Sequence, residues 1–125
     1  MPVRGLRGAI TVSADDSEAI LAATRELLSN ILNANPTLQS EDIASGLFTT
    51  TEDLRTAYPA QAAREMGWTQ VPMICSREIP VPGSLPLCIR VLLLWNTELP
   101  QHRIRHIYLG AATALRPDLN LADSS

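Results

Sequence analysis

The pattern of apolar and polar positions predicts one long amphipathic helix early in the chain. Residues 13–18 offer hydroxyl and carboxylate side chains that cap a helix start and suit its positive end. From there to about Asn33, apolar residues recur at helical spacing, which predicts a buried face. That face comprises Ile20, Thr24, Leu27, Leu28 and Ile31. Asn35-Pro36 ends the helix, because a residue before proline disfavours the α conformation.

Shorter apolar stretches predict strands and a second helix. The predicted strands cover residues 3–12, 43–51, 70–79, 88–97 and 104–109. Gly5 and Gly8 indicate a bulge or a close backbone approach in the first strand, and Pro72 indicates an edge position or a strand start in the third. A helix over residues 58–66 has a proline near its first position and ends at Gly67, whereas residues 110–115 fit a helix or irregular chain. The predicted fold class is α+β, or mixed α/β.

The stretch from Cys88 to Thr97 is the strand around which the other elements are organised. Apolar residues run almost unbroken from Val91 to Trp95, which predicts a strand buried on both faces. Arg90 leads into it. A guanidinium keeps its charge and is costly to bury alone, so Arg90 needs an anionic partner from the protein or from a ligand.

Composition narrows the classes of function. A chain of 125 residues with 46% apolar and 18% charged residues is predicted to form one globular domain. The net charge of −3, without any basic tract, argues against a nucleic-acid binder or a membrane-surface binder. All 10 basic residues are arginines, which excludes a Schiff-base lysine and a phosphate-loop lysine.

The compartment is predicted from what the sequence does not contain. Residues 1–8 lack the apolar stretch of a signal peptide, and no apolar run approaches membrane-spanning length. We therefore expect a cytoplasmic protein that does not associate with membranes. In that compartment Cys75 and Cys88 are expected to stay reduced rather than to form a disulfide.

Familiar catalytic motifs are missing from the sequence. It has no Gly-rich phosphate loop, no paired-cysteine metal site and no nucleophile elbow. His102 and His106 have the spacing of two zinc ligands on a helix, but arginines lie between them and His106 falls in a predicted strand. We expect no metal, no other cofactor, and histidines at the surface.

The residues left to carry chemistry are seven. They are Arg7, Arg64, Arg90, Arg116, Glu78, Tyr108 and Cys75. For any one of them, surface ion pairing, or burial of Cys75 as a small hydrophobe, is the favoured alternative. Arg90 is the exception, because its strand is predicted to be buried.

Five motifs in order carry a resemblance to a known family. They are Arg4-Gly-x-Arg7-Gly-Ala, Tyr58-Pro-Ala-x-x-Ala-Arg64, Cys75-x-x-Glu78, Cys88-Ile-Arg90-Val, and Ile104-Arg-His-x-Tyr108-Leu with Leu115-Arg116-Pro-Asp-Leu. Together they resemble the AroH-type monofunctional chorismate mutases over about residues 3–119. The resemblance implies a five-stranded mixed sheet with flanking helices, assembled as a homotrimeric pseudo-α/β-barrel with active sites between subunits, an architecture related to that of RidA. We expect one domain over residues 1–117 and a flexible tail over residues 118–125.

The reaction implied by the resemblance is the Claisen rearrangement of chorismate to prephenate, on the route to phenylalanine and tyrosine. An intramolecular rearrangement needs no nucleophile, metal or proton shuttle, so the missing motifs agree with it. It needs a dianionic substrate held compactly, and a cation where negative charge grows on the breaking ether oxygen.

The resemblance also implies a role for each site residue. Arg90 would face the ether oxygen and a carboxylate, and Glu78, with Cys75 beside it, would bind the ring hydroxyl. Arg7 and Tyr108 would hold the side-chain carboxylate. The other substrate contacts would be Tyr58 and Leu115 as apolar walls, Ile74, Arg64 from the neighbouring subunit, and Arg116 near the tail, where it favours anion entry.

Two departures and two alternatives accompany this interpretation. Tyr58 and Gln61 stand where the family often has phenylalanine and lysine, and loss of that lysine weakens substrate attraction without changing the chemical step. A RidA-like imine hydrolase, or a non-catalytic trimeric binder of carboxylate metabolites, would also use these arginines. Glu78 together with Arg7 and Arg90 favours the mutase, because a binder needs no cation at an ether oxygen and imine hydrolysis needs a placed water.

Overall fold

One mixed sheet with helices against it makes up the protein in the computed structural model, which describes residues 1–116. The described strands are β1 (Val3–Thr11), β2 (Ile43–Thr50), β3 (Met73–Arg77), β4 (Cys88–Asn96) and β5 (Ile107–Leu109). The α-helices are α1 (Ser17–Ala34) and α2 (Pro59–Glu65), and short 3-10 helices cover Ser40–Asp42, Gln101–Arg103 and Gly110–Ala114. The strand order is β3-β2-β4-β1-β5, with β4 antiparallel to both neighbours and the outer pairs parallel. The predicted fold class and five-stranded mixed sheet are confirmed.

Helix α1 forms as its sequence predicts. The Oδ2 of Asp16 accepts a hydrogen bond from the Ala19 N–H at 3.0 Å, which caps the helix start. All members of the predicted apolar face are buried, and each fully buried leucine or isoleucine stabilises the fold by about 1.5–3 kcal/mol. Thr24 lies within this face, and its hydroxyl donates to the Ile20 carbonyl at 2.8 Å. The buried hydroxyl is thereby satisfied.

The main core lies on one face of the sheet only. Alternate residues of β4 point into it, where α1 and α2 also pack: Ile89, Val91, Leu93 and Trp95. The other face of β4 carries Arg90, Leu92 and Leu94, and Leu92 is 39% exposed. The expectation that this strand is buried on both faces is therefore wrong for the single chain, because the helices α1 and α2 cover one face and the other is covered, within residues 1–116, only near Cys88, by Tyr108 and Ala112.

Gly8 has no side chain because α1 crosses β1 there. A Cβ at Gly8 would lie 3.0 Å from the Cδ1 of Ile31 and 3.2 Å from the Cδ1 of Leu27. A close approach is thus confirmed at Gly8, where side chains rather than backbone come near, but not at Gly5, whose added Cβ would lie 3.7 Å from Leu92. The alternative of a bulge in β1 is wrong, since its register with β4 runs without interruption. The register instead shifts in β2, between Ile43 and Ser45.

Two strands are shorter than predicted by several residues, whereas the other three end one residue early. β3 begins at Met73 rather than at residue 70, after Pro72, and its place at the sheet edge agrees with that proline. β5 begins at Ile107 rather than at residue 104, so His106 precedes the strand. Apolar residues alone do not separate the approach to a strand from its hydrogen-bonded part.

Two expectations concern residues outside the described range 1–116. The tail predicted over residues 118–125 and the domain end at residue 117 lie beyond residue 116. Within the described part of the chain, no helix is both long and apolar enough to cross a membrane.

Candidate active site

A row of side chains crosses the open face of the sheet. The strand register pairs Thr49 of β2 with Arg90 of β4, Arg90 with Ala9 of β1, and Ala9 with Tyr108 of β5. Arg7 lies two residues from Ala9, so it points to the same face. The sheet thus brings together an arginine pair and a tyrosine that are about a hundred residues apart at most in the sequence.

Glu78 lies beside Arg90 without forming a hydrogen bond to it. Its Oε2 is 3.6 Å from the Nε of Arg90, which is too long for a hydrogen bond, and it also accepts the hydroxyl of Thr49. The Nε of Arg90 is buried and has no hydrogen-bond partner within residues 1–116. A donor that is dry, charged and unsatisfied is costly, so this geometry suits an anionic oxygen of a ligand.

Tyr108 repeats this pattern on β5. The residue is 5% exposed, and its hydroxyl is buried without a hydrogen-bond partner in the described chain. Its ring packs with Ala9, Cys88 and Ala112, and Leu115 is half-buried against the same group. The apolar surroundings hold the phenol in place and leave its hydroxyl without a hydrogen-bond partner among residues 1–116.

His106 supports the backbone of Arg7. The Nδ1 of His106 accepts the N–H of Arg7 at 2.9 Å, directly before β5 joins β1. Burial lowers the pKa of His106, and the positive charges of Arg7 and Arg116 lower it further. The imidazole is therefore kept neutral, as an acceptor must be. The expectation of a surface histidine is wrong here, although His102 is exposed.

Cys88 is a buried neutral thiol next to the arginine. Burial raises its pKa, and the nearby positive charge of Arg90 opposes that rise only in part. Both Cys75 and Cys88 are free. A thiol held neutral is a poor nucleophile, so Cys88 contributes packing at this site rather than covalent chemistry.

Two of the clefts formed by the described residues are similar in size. One, of about 400 Å³, is lined by Arg7, Leu47, Thr49, Glu78, Arg90, Val91 and Leu92. We call it the arginine cleft. The other, of about 390 Å³, is lined by residues 54–59 together with Thr50, Gln61, Cys75, Ser76 and Arg77. We call it the tyrosine cleft, after Tyr58, which is 70% exposed.

The comparisons with known proteins point to one family. A family model of type I chorismate mutases matches residues 3–119. The chorismate mutase AroH of Thermus thermophilus is 58% identical, and the match covers 96% of this chain and 98% of that protein. The chorismate mutase AroH of Bacillus subtilis is 44% identical, and the match covers 100% of this chain and 98% of that protein. A solved chorismate mutase structure from Clostridium thermocellum has a TM-score of 0.85 and 45% identity, covering 88% of this chain and 97% of that one.

The chain belongs to the type I chorismate mutase family. The family predicted from the motifs is confirmed, and these relatives favour the mutase over the imine hydrolase and the metabolite binder.

The structure divides the residues that the chorismate mutase motifs point to. Arg7, Glu78 and Arg90 meet in the arginine cleft, and Tyr108 joins their row. Cys75 and Tyr58 line the tyrosine cleft instead, so within one chain Cys75 and Glu78 face different clefts. The remaining positions are spread over the surface: Ile74 is 68% exposed, Arg64 is exposed on α2, and Leu115 and Arg116 are half-buried after β5.

Sequence reasoning missed two residues near the arginine cleft: Thr49, which lines it, and Asp53, which does not. The sequence did not point to Thr49, because a threonine in a strand is common and does not by itself indicate a functional role. The strand register shows that it pairs with Arg90. Asp53 lies in a turn, where its carboxylate accepts the backbone N–H of Leu87. Among the described residues, no group of three or more His, Cys, Asp and Glu side chains could hold a metal ion.

Proposed function

We propose that the chain converts chorismate to prephenate in the arginine cleft by electrostatic stabilisation and conformational restriction. Membership of the family supports the reaction, and one observation carries its assignment to this cleft. The Nε of Arg90 is buried and unpaired by hydrogen bonds within residues 1–116, at the point where the row of polar side chains crosses the sheet. A cation held in a fixed position is what the developing charge on an ether oxygen requires.

The charges of the cleft suit a dianionic substrate. Arg7 and Arg90 supply two guanidinium groups on one face of the sheet, and Glu78 supplies one carboxylate. Two carboxylates of a substrate and one ring hydroxyl would be matched in charge and in hydrogen bonding by this set. Binding both ends of the substrate favours the compact conformer that the rearrangement needs.

The role proposed for each residue is the one that the resemblance to the family implies. Arg90 stabilises the ether oxygen as its bond breaks, and Glu78 accepts the ring hydroxyl. Arg7 and the Tyr108 hydroxyl hold the side-chain carboxylate. No group donates or accepts a proton in the reaction and no covalent intermediate forms, which fits the neutral thiol of Cys88.

We further propose that the working site is shared between neighbouring copies of the chain in a homotrimer. The division of the motif residues between two clefts supports this, because one chain does not bring Tyr58 and Arg64 to Arg90. The open sheet face supports it as well, since Leu92 and Ile74 are large apolar residues left 39% and 68% exposed. A neighbouring copy that covered this face would bury them and close the arginine cleft.

The remaining expectations belong to the same proposal. The substrate partner is chorismate, the product feeds phenylalanine and tyrosine synthesis, and the enzyme acts in the cytoplasm without cofactor, nucleic acid or membrane. Arg64 and Arg116 line the rim, and Leu115 forms an apolar wall. The roles of Cys75 and Ile74 as substrate contacts would be fulfilled in the site of a neighbouring copy.

The direct test is the loss of chorismate absorbance when purified protein is added without any cofactor, with prephenate identified as the product. Chorismate that stays unchanged in the presence of folded protein would reject the proposal. Consumption of an imine substrate, with release of ammonia and no effect on chorismate, would instead support the hydrolase alternative.

A further inference from the structure

One short segment, residues 50–54, holds both ends of the connection between β3 and β4. At the β3 end, the N–H of Glu78 donates to the carbonyl oxygen of Thr50 at 3.0 Å. At the β4 end, the N–H of Leu87 lies 3.0 Å and 3.2 Å from the two carboxylate oxygens of Asp53. Glu78 is itself one of these anchor points, and Arg90 lies three residues after the other. The backbone at both residues is therefore positioned by the same short segment.

Leu87 has a backbone conformation that leucine rarely adopts. Its φ is +51°, the one positive value at a non-glycine residue within residues 1–116. The left-handed region brings the Cβ of such a residue too close to its own backbone, so it persists only where neighbouring groups enforce it. The Asp53 carboxylate holds the N–H of Leu87, and the N–H of Val12 donates to its carbonyl oxygen at 2.8 Å.

Thr51 extends the restraint to the first residue of β4. Its hydroxyl donates to the Oδ1 of Asp53 at 2.5 Å and accepts the N–H of Cys88 at 3.0 Å. Its own N–H donates to the Cys88 carbonyl at 3.1 Å. Cys88 is thus held by both of its backbone groups, and Arg90 lies two residues further on the same face of the strand.

We propose that Asp53 is a positioning residue for Arg90. By holding Leu87 in the left-handed conformation, its carboxylate sets where β4 begins and where the Arg90 guanidinium stands in the arginine cleft. Asp53 does not line that cleft and acts only through the backbone. The inference rests on the proposed function, in which Arg90 acts on the transition state.

The first experiment compares Asp53→Asn with the wild type in steady-state turnover of chorismate. The amide keeps the shape but places a donor against the Leu87 N–H or the Thr51 hydroxyl. We expect kcat per folded molecule to fall about 10- to 100-fold, with KM changing by less than about threefold. The matched control is Glu52→Gln, an exposed carboxylate one residue away, which should stay within about twofold of the wild type. An unchanged kcat, or a rise in KM alone, would overturn the proposal.

The second experiment asks whether Asp53 acts through the conformation of Leu87. Glycine adopts the left-handed region without steric cost. In Leu87→Gly the backbone can therefore take this conformation without being held by the Asp53 carboxylate. The loss of kcat caused by Asp53→Asn should then shrink at least about fivefold in the Leu87→Gly background, as a coupled pair requires. An equal loss in both backgrounds would mean that Asp53 does not act through Leu87.

Folding and the proposed function are checked separately. Circular dichroism and thermal melts establish that each variant is folded at the assay temperature. If Asp53→Asn is not folded at that temperature, Thr51→Val is compared with Thr51→Ser instead. Equal kcat values in that pair would overturn the proposal. A lower kcat in the valine variant alone supports it. A folded wild type without chorismate turnover would reject the proposed function, while wild-type turnover with an unaffected Asp53→Asn rejects only the positioning role.

Discussion

Arg90 combines a permanent charge with a position that its strand fixes. Its Nε is buried, lies 3.6 Å from the Glu78 carboxylate and makes no hydrogen bond within the described chain. The nearby carboxylate offsets the cost of burying the charge without occupying the donor. The Arg90 side chain as a whole is 33% exposed, so the part of the guanidinium beyond the buried Nε is open to a ligand oxygen.

Replacing Arg90 by glutamine is expected to depress kcat much more than it raises KM. Negative charge develops on the ether oxygen only as its bond breaks, so the contact strengthens in the transition state. The expected loss is about 10² to 10³ in kcat or more. Arg90→Lys should also be poor, because an ammonium group does not present a planar fork to two oxygens.

The measurement is steady-state kinetics with chorismate for the Arg90 variants. Arg25→Gln is the matched control, since that guanidinium pairs at 3.7 Å with Glu65 at the surface. Weaker binding with a kcat near the wild-type value would show that Arg90 is only a carboxylate anchor.

Thr49 orients the carboxylate that faces Arg90. Its hydroxyl donates to the Oε2 of Glu78, so Thr49→Val removes one partner of a half-buried carboxylate and frees it to rotate onto Arg90. We expect kcat/KM to fall by about tenfold, the equivalent of one lost charged hydrogen bond. Thr49→Ser should retain activity because it keeps the hydroxyl. Thr69→Val, at an exposed turn, is the control. Equal activity of the valine and serine variants at position 49 would contradict this role.

At the scale of elements, the site depends on strands that are neighbours in the sheet but distant in the sequence. β5 has three residues and lies parallel to β1, and the side chain of His106 extends the pairing by accepting the Arg7 N–H. A neutral imidazole accepts this hydrogen bond, whereas a protonated imidazole has no lone pair at Nδ1 with which to accept it. Attachment of the β5 edge is therefore sensitive to protonation.

The pH dependence of stability follows from the direction of that pKa. Burial first, then the charges of Arg7 and Arg116, lower the pKa of His106 below its ordinary value of 6.5. Between the folded value and 6.5 the unfolded chain binds more protons, so the free energy of unfolding decreases as the pH falls through this interval. The contribution is fully present above 6.5 and levels off below the folded pKa.

Thermal melts between about pH 7.5 and 5.5 test this contribution. His106→Asn provides an acceptor in place of Nδ1 that does not titrate, so its melting temperature should fall less with pH than that of the wild type. His102→Asn, at an exposed residue, should behave as the wild type does. An identical pH dependence in the wild type and His106→Asn would show that His106 does not contribute.

At the scale of the whole molecule, two clefts on one chain are the feature that needs explaining. The arginine cleft contains the cations, while the tyrosine cleft contains Tyr58, and neither encloses a substrate by itself. Closed rotational assembly repeats one heterologous contact around an axis, so each contact can join the arginine cleft of one copy to the tyrosine cleft of the next. The open apolar face of β4 would be buried in the same contact.

Mixing two inactive variants tests the shared site. Arg90→Gln inactivates the arginine cleft and Arg64→Gln alters the helix that carries the other half of the site. After unfolding and refolding together at equal amounts, random assembly leaves about one contact in four with both halves intact. We therefore expect about a quarter of wild-type activity from the mixture, measured by chorismate consumption.

Refolding each variant alone is the control for that mixture and should give only its own residual activity. Analytical ultracentrifugation measures the assembly directly. A stable monomer with full activity, or a mixture no more active than the average of its parts, would contradict the shared site.

The sequence by itself determined the elements and most of the chemistry. The helical spacing of α1, the capping residues and the proline at the start of α2 are local properties, so they act before any tertiary contact forms. The motifs around Arg7, Glu78 and Arg90 also identified the family, because motifs and their spacing are read from the sequence without knowledge of the loop structures between them. The predicted strand ends were less accurate, since residues 70–72 and 104–106 lie next to strands β3 and β5 without being part of them.

Only the tertiary structure decided which side chains meet. Register between β2, β4, β1 and β5 places Thr49, Arg90 and Tyr108 in one row, and a shift by one residue would send each to the opposite face. The structure also showed that one face of β4 is open and that Asp53 holds Leu87, neither of which has a local signature. Register, burial of one face and contacts between distant turns are set by long-range packing, and a local pattern of apolar and polar residues does not specify them.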